Sequence, residues 1–255
     1  MIMVFDGTFE GFLCAVFDVY YKKIDPILLQ SVSDFQISLE NNVHDVTTDI
    51  KQAARVFSGI KEKISDTAAS YVYHAFLSGE EDKYMDMLRY VQLGFKVGHM
   101  VDSHLQEDFV RRVHKLSKHV GREAHLLHGF CRFAETKDGA LYCPISPKND
   151  VLALVADHFT GRLMNERWIV HDKARNKAAI YNREDYIIVD VPSGAKVEYA
   201  EDEKEIQELW TAFFNALAIE SRKNHKLQRQ LLPLYFRKNM TEFLPPLQPN
   251  TPHNV

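Results

Sequence analysis

Between Arg222 and Lys238 the chain carries Arg222, Lys223, His225, Lys226, Arg229, Arg237 and Lys238, with no Asp or Glu among them. Cations without neighbouring acids suit a phosphate-bearing partner, because each Lys or Arg that meets a phosphate releases a condensed counterion and makes binding salt-dependent. Arg222, Lys226 and Arg229 recur at i, i+4 and i+7, so a continuous helix would present them on one face while Leu227, Leu231 and Leu234 anchor another. Tyr235 and Phe236 follow, and aromatic rings beside cations can stack on exposed bases. The competing reading is a solvated helix end, where basic residues offset the macrodipole in any case.

A second acid-free run comprises Arg111, Arg112, His114, Lys115, Lys118, His119 and Arg122. It reads first as the solvated face of a helix, and second as another contact for nucleic acid through Arg111, Arg112 and Lys115. A different chemistry is offered by Trp168-Ile169-Val170-His171-Asp172 with Arg175. An apolar strand that ends in polar residues brings them to a sheet edge, so Trp168, His171, Asp172 and Arg175 are candidate pocket residues. The structural alternative is that Asp172 holds Arg175 across a tight turn.

Histidines gather at His99, His104, His114, His119, His125 and His128, yet no paired cysteines or zincin spacing joins them, and no metal site is assigned. There is no Gly-x-Ser-x-Gly elbow, Walker loop, dinucleotide-binding glycine fingerprint or deaminase signature. No catalytic residue is assigned, and no cofactor is expected.

Periodicity says which elements must position these groups. Met1 to Phe5, then Asp6-Gly7 and a helix begun at Thr8 with Phe9, Phe12, Leu13, Val16 and Phe17, reads as strand, turn, helix. Phe35 to Val46, interrupted by Asn41-Asn42, reads as a hairpin or an irregular strand pair. From Thr47 to about His119 the apolar spacing is helical and predicts four helices, the last over Leu105 to Val120, with a change of period beyond Gly121. Gly129 to Glu135 and Ala140 to Ile145 flank Lys137-Asp138-Gly139 as a hairpin, and a helix follows from Val151 to about Gly161. Arg167 to Asp172, Ala178 to Asn182 and Tyr186 to Val191 form an antiparallel meander. Glu201 to about Glu220 is a helix with acids at its start and Ile206, Leu209, Trp210, Phe213 and Leu217 on one face. The expected architecture is α+β, a mostly antiparallel sheet packed with a helical subdomain. Residues 1–244 form one unit with a helical insertion around 47–120, and 245–255 a flexible tail.

With 31 Lys+Arg against 35 Asp+Glu, the chain cannot coat nucleic acid or a membrane over its whole surface, so an anionic partner must be held locally. Cys14, Cys131 and Cys143 are too few and too irregular for a disulfide framework and read as core thiols. The opening residues lack the basic and apolar regions of a secretory signal, and no uncharged apolar run is long enough to span a bilayer. A cytoplasmic protein without membrane contact is therefore expected.

Three stretches carry a family likeness: Phe5-Asp6-Gly7-Thr8-Phe9-Glu10-Gly11, the strands Gly129 to Ile145 with Arg167 to Asp172, and Leu227-Gln228-Arg229-Gln230-Leu231-Leu232-Pro233-Leu234-Tyr235-Phe236. In these the chain resembles, from about Val4 to Leu244, a bacterial family of DNA-metabolism proteins also described as domain of unknown function 4130. The resemblance implies company with a radical SAM protein of DNA modification or repair, and with uracil-DNA-glycosylase-like domains. It supplies no catalytic residue. Cys14, Cys131 and Cys143 do not form the cysteine triplet of a radical SAM cluster, so that chemistry would belong to a partner. The leading expectation is an accessory protein of DNA repair or modification. It would bind DNA, largely without sequence preference, through Arg222, Lys226, Arg229, Arg237 and Lys238. The alternatives are an enzyme acting on nucleobases or nucleotides near Trp168 to Arg175, and a protein-interaction scaffold for a radical SAM partner.

Overall fold

The computed structural model describes residues 1–35, 42–192, 194–222, 224–245 and 253–254. The chain divides into two compact units, Met1–Gly121 and Arg122–Val255. The architecture is α+β, as expected.

In the first unit β1 (Ile2–Phe5), β2 (Leu28–Ser31) and β3 (Val43–Asp45) make a parallel sheet in the order β2-β1-β3. Parallel neighbours need a crossover, and α1 (Phe9–Tyr21) supplies it between β1 and β2. The Phe5 to Gly11 stretch is a structural device. Asp6 Oδ1 accepts from the Thr8 amide (2.9 Å) and hydroxyl (2.7 Å), Thr8 Oγ1 caps α1 by accepting from Gly11 N (2.9 Å), and Asp6 Oδ2 accepts from the Thr48 hydroxyl (2.8 Å). A Cβ on Gly11 would lie 2.1 Å from Asp6 Oδ1, so only glycine lets the helix start this close to the carboxylate. The expected hairpin over Phe35 to Val46 falls largely on residues 36–41, outside those described; Val43–Asp45 pairs in parallel with β1.

The four predicted helices are α2 (Ile50–Lys63), α3 (Asp66–Leu77), α4 (Tyr84–Val97) and α5 (Asp108–Phe130). Asp49 caps α2 by accepting from Lys51 and Gln52 N–H groups, and Ser65 caps α3 by accepting from Ala68 N. Their apolar faces close on α1 and β1, where Phe5, Phe9, Phe12, Phe76 and Tyr84 interlock at ring separations of 4.9–6.5 Å. The change of period expected at Gly121 does not occur. Val113, Leu116, Val120, Ala124 and Leu127 are all buried at three- and four-residue spacing, and the helix runs on to Phe130.

In the second unit β4 (Ala134–Glu135), β5 (Leu141–Ile145), β6 (Trp168–Asp172), β7 (Lys177–Tyr181) and β8 (Tyr186–Asp190) form one sheet in chain order. Pairing is antiparallel throughout except β5 with β6, which are parallel because α6 (Leu152–Arg162) crosses between them. The hairpin arm expected from Gly129 is shorter, since Gly129 and Phe130 end α5. Its turn is as expected, with Gly139 at φ 75° and Thr136 N donating to Ala140 O at 2.8 Å. β9 (Lys196–Val197), α7 (Glu203–Ala216) and α8 (His225–Leu231) follow. Of the expected tail, residues 246–252 and 255 lie outside those described, and β10 (His253–Asn254) pairs with β9. No helix among the described residues is long and apolar enough to cross a membrane.

Candidate functional site

The basic segment is not one helix. Arg222 ends a 3-10 turn (Glu220–Arg222), and Asn224 then starts α8 as its N-cap, accepting from Leu227 N at 3.0 Å. Arg222 therefore stands apart, while Lys226 and Arg229 share a face of α8 at i, i+3 spacing. Arg222, Lys226, Arg229 and Lys238 are exposed, and no described carboxylate pairs with any of them. Lys223 lies outside the described residues.

Arg237 is different. Its guanidinium lies 4.8 Å over the Phe243 ring and donates to Leu232 O at 3.5 Å, so it is a half-buried packing group and not a free surface cation. The aromatic neighbours are also committed. Phe236 is buried against Phe130 (5.3 Å), and Tyr235 donates its hydroxyl to Glu123 Oε1 at 3.0 Å beneath the Lys148 ammonium. Burial, then the Glu123 charge, raise the Tyr235 phenol well above its ordinary range. Stacking on bases, expected of these two rings, is closed to them.

The second basic run sits on α5. Arg111 donates to Asp108 and to Leu105 O, and Arg112 donates to Asp86 Oδ2 (3.0 Å) and to Glu81 O (2.8 Å). Arg112 thereby ties α5 to α4, while Arg111 pairs within the first turn of α5 and with the loop before it, which fits the solvated-face reading. Lys115 is exposed.

The four candidate pocket residues separate because a strand alternates. Trp168 and Asp172 are fully buried, and the Trp168 ring meets Phe159 of α6 at 6.5 Å. Ile169 and His171 point to the other face, where they line a concavity of about 620 Å³ together with Thr136, Tyr142, Ile180 and Val197. Asp172 does hold Arg175, accepting from Nη1 at 2.9 Å and from Ala174 N at 2.9 Å, and Arg175 also donates to Pro147 O and Lys148 O. Burial raises the Asp172 carboxyl despite that guanidinium. These contacts make Asp172 and Arg175 a turn clamp, and only His171 of the four reaches the concavity.

His171 Nδ1 and the Tyr142 hydroxyl are hydrogen-bonded at 2.9 Å, and His171 Nε2 is buried without a partner among the described residues. Burial, then the Lys173 charge, lower the His171 pKa, and burial pushes Tyr142 up. The pair is therefore neutral near pH 7. Such a pair can orient or hydrogen-bond a neutral heterocycle, and it offers no strong nucleophile.

Two of the other histidines are held by structural contacts. His114 bonds to Asp102 (2.8 Å), which also accepts from Tyr90, and His128 stacks on His158 at 3.9 Å. Among the described residues no group of His, Cys, Asp and Glu is arranged to hold a metal ion. All three cysteines are free thiols, and a hydrogen bond with Cys143, followed by burial, raises Cys131 well above the thiol range.

Two buried carboxylates escape a reading of the sequence. Glu123 accepts from the amides of Lys148 and Asn149 (both 2.9 Å), from Asn149 Nδ2 (2.6 Å) and from Tyr235. Glu242 accepts two bonds from Arg132 (2.7 and 3.1 Å) and one from Trp210 Nε1 (3.2 Å). Nothing local marks either acid, since the partners of Glu123 and Glu242 lie far away in sequence.

A family model described as DUF4130, a domain of unknown function, matches residues 81–242. The match takes in the strand pair and the basic ending but not Phe5 to Gly11, so it is narrower than the resemblance expected over 4–244. No curated protein matches the chain.

Proposed function

The chain belongs to the DUF4130 family, and from this starting point we propose that it is a DNA-binding accessory protein of DNA repair or modification that holds the phosphate backbone through α8. The observation that carries the reading is the exposure of Lys226 and Arg229 on one helical face, with Arg222 just before and Lys238 just after, and no described acid opposing them. Arg237 and the Arg111–Arg112 pair drop out of the contact because their guanidinia are already engaged. With no base-stacking aromatic free in the segment, binding is carried by phosphates and is insensitive to sequence. Catalysis then falls to a partner, for which a radical SAM protein is the reading the family resemblance favours.

Fluorescence anisotropy with single- and double-stranded DNA across a salt series tests this. Lys226→Glu with Arg229→Glu is expected to weaken binding about tenfold or more at low salt, and to flatten the log K against log [salt] slope by about 2. Wild-type protein that fails to bind at ~50 mM salt, or a double variant that binds as well, would sink the proposal.

The second reading, an enzyme on nucleobases or nucleotides, is favoured by one observation: the concavity of about 620 Å³ with the neutral Tyr142–His171 pair on its wall. Its size suits a small heterocycle. Calorimetric titration with free nucleobases and nucleosides is expected to show binding that Ile180→Trp, which fills the concavity from an exposed position, abolishes. Wild-type protein silent to every base at millimolar concentration would overturn this reading.

A further inference from the structure

Helix α7 is apolar on two sides. Phe214 packs inward on Phe243 at 5.9 Å, and Glu203 is buried, accepting from Glu135 N and Gln207 Nε2 at 2.8 Å each. A second apolar stripe, Ile206, Trp210, Phe213 and Leu217 with Leu209 beside it, faces solvent. Leu209 is 70% exposed, Phe213 55% and Leu217 64%. The spacing of four, three and four residues is that of a heptad seam, which suits packing against another helix. These five side chains leave on the order of 600 Å² of surface open, at the top of what a monomer shows and near the ~800 Å² per partner of a stable interface. Trp210 is held at its polar edge by Glu242, so the stripe is presented in a fixed orientation.

We propose that this stripe is the two-fold interface of a homodimer in which α7 packs antiparallel on α7 of a second copy. The charges at its two ends select that occupant. Glu201, Asp202 and Glu205 are exposed at the start of α7, where the single cation Lys204 pairs with Glu208 at 3.9 Å. Arg222, also exposed and without a described carboxylate partner, follows in the 3-10 turn beyond its end. An antiparallel pair puts the acidic start of one helix beside the Arg222 of the other, twice over, and opposes the two macrodipoles favourably. A parallel pair would set like charge against like. The stripe contains neither Lys226 nor Arg229, and although Arg222 serves both readings, self-association is measured without DNA and does not depend on DNA binding.

Sedimentation equilibrium of the full chain without DNA tests the proposal. Wild-type protein at tens of micromolar is expected at twice the single-chain mass of 29.5 kDa. Phe213→Glu, at an exposed position that folding does not require, is expected to raise the dimer dissociation constant about a hundredfold with an unchanged melting temperature of the isolated chain. Arg222→Glu is expected to raise it about tenfold, and adding Asp202→Lys and Glu205→Lys to restore most of that loss. Wild-type protein at the single-chain mass across the whole concentration range would overturn self-association and leave the stripe to a different helix. A Phe213→Glu variant as dimeric as wild type would overturn the stripe as the interface, and no rescue by the charge exchange would overturn the antiparallel geometry.

Discussion

Arg132→Met is expected to lower the stability of the folded protein by about 3–5 kcal/mol at pH 7, because it strands the Glu242 carboxylate in a site that water barely reaches. The Glu242 side chain is 1% exposed, and Arg132 gives it two hydrogen bonds. Removing one member of a buried pair costs far more than the pair contributes, since the remaining charge keeps its desolvation penalty without its partner. Burial alone would raise Glu242, but the hydrogen bonds from Arg132 and Trp210 overcome it and hold the carboxyl below its usual range of about 4.5. The sign follows. A depressed carboxyl contributes stability above its unfolded pKa, and that contribution disappears as pH falls from about 4.5 through the folded value. In Arg132→Met the carboxyl has lost the guanidinium and protonates more readily, so the gap between variant and wild type should narrow as pH falls below that range. Urea denaturation at pH 7 and pH 4 would show it. Adding Glu242→Gln should recover more than half of the loss, because the amide oxygen still accepts from Trp210 and carries no charge. A loss of under about 1 kcal/mol in the single variant would mean that water solvates Glu242 freely. The same substitution also removes the guanidinium 5.3 Å from the Trp210 ring, so it should loosen α7 and the stripe it presents.

The legible and illegible parts of this chain differ in the range of the interactions that decide them. Helices α2, α3 and α4 could be read because apolar residues recur at helical spacing within each, although the start of α3 is capped by Ser65 where Asp66 was expected, and α4 begins after Lys83 with no side-chain cap. The meander β6-β7-β8 was equally plain, being alternation broken by short polar turns. The same alternation also held a signal that grouping Trp168 with His171 passed over: three residues apart on a strand, they must face opposite sides. Asn224 likewise marks a helix start in the middle of the basic segment, and it separates Arg222 from the face that Lys226 and Arg229 share. Beyond these, local information ends. The helical period of α7 locates its apolar stripe correctly but cannot say what covers it, and in the folded chain the stripe stays exposed apart from the contacts of Trp210 with Arg132 and Glu242. Glu123 and Glu242 look like any other acid until Tyr235, Asn149, Arg132 and Trp210 close around them. Their roles are fixed by tertiary contacts, which no pattern within a window of a dozen residues encodes.

Trp168 shows how one side chain can be tested for core or site. Its ring stacks on Tyr181 at 5.0 Å with 21° between planes, meets Phe159 and Tyr186 at 6.5 and 6.4 Å, and is fully buried. Trp168→Ala should therefore cost about 3–5 kcal/mol, the transfer energy of a large ring plus the cavity left among aromatic neighbours that cannot collapse far. The indole Nε1 is buried with no acceptor among the described residues, which penalises the folded state by about 1–3 kcal/mol. Trp168→Phe removes that orphaned donor and keeps most of the ring contact. Its cost should then be less than half that of the alanine variant, measured by urea denaturation with an unchanged m-value. The two substitutions also separate packing from function. Trp168 faces α6 while the concavity lies across the sheet with His171, so Trp168→Phe should leave any heterocycle affinity intact. A phenylalanine variant as unstable as the alanine one would mean that Nε1 is hydrogen-bonded in solution. A stable variant that lost heterocycle binding would instead move Trp168 from the core into the site.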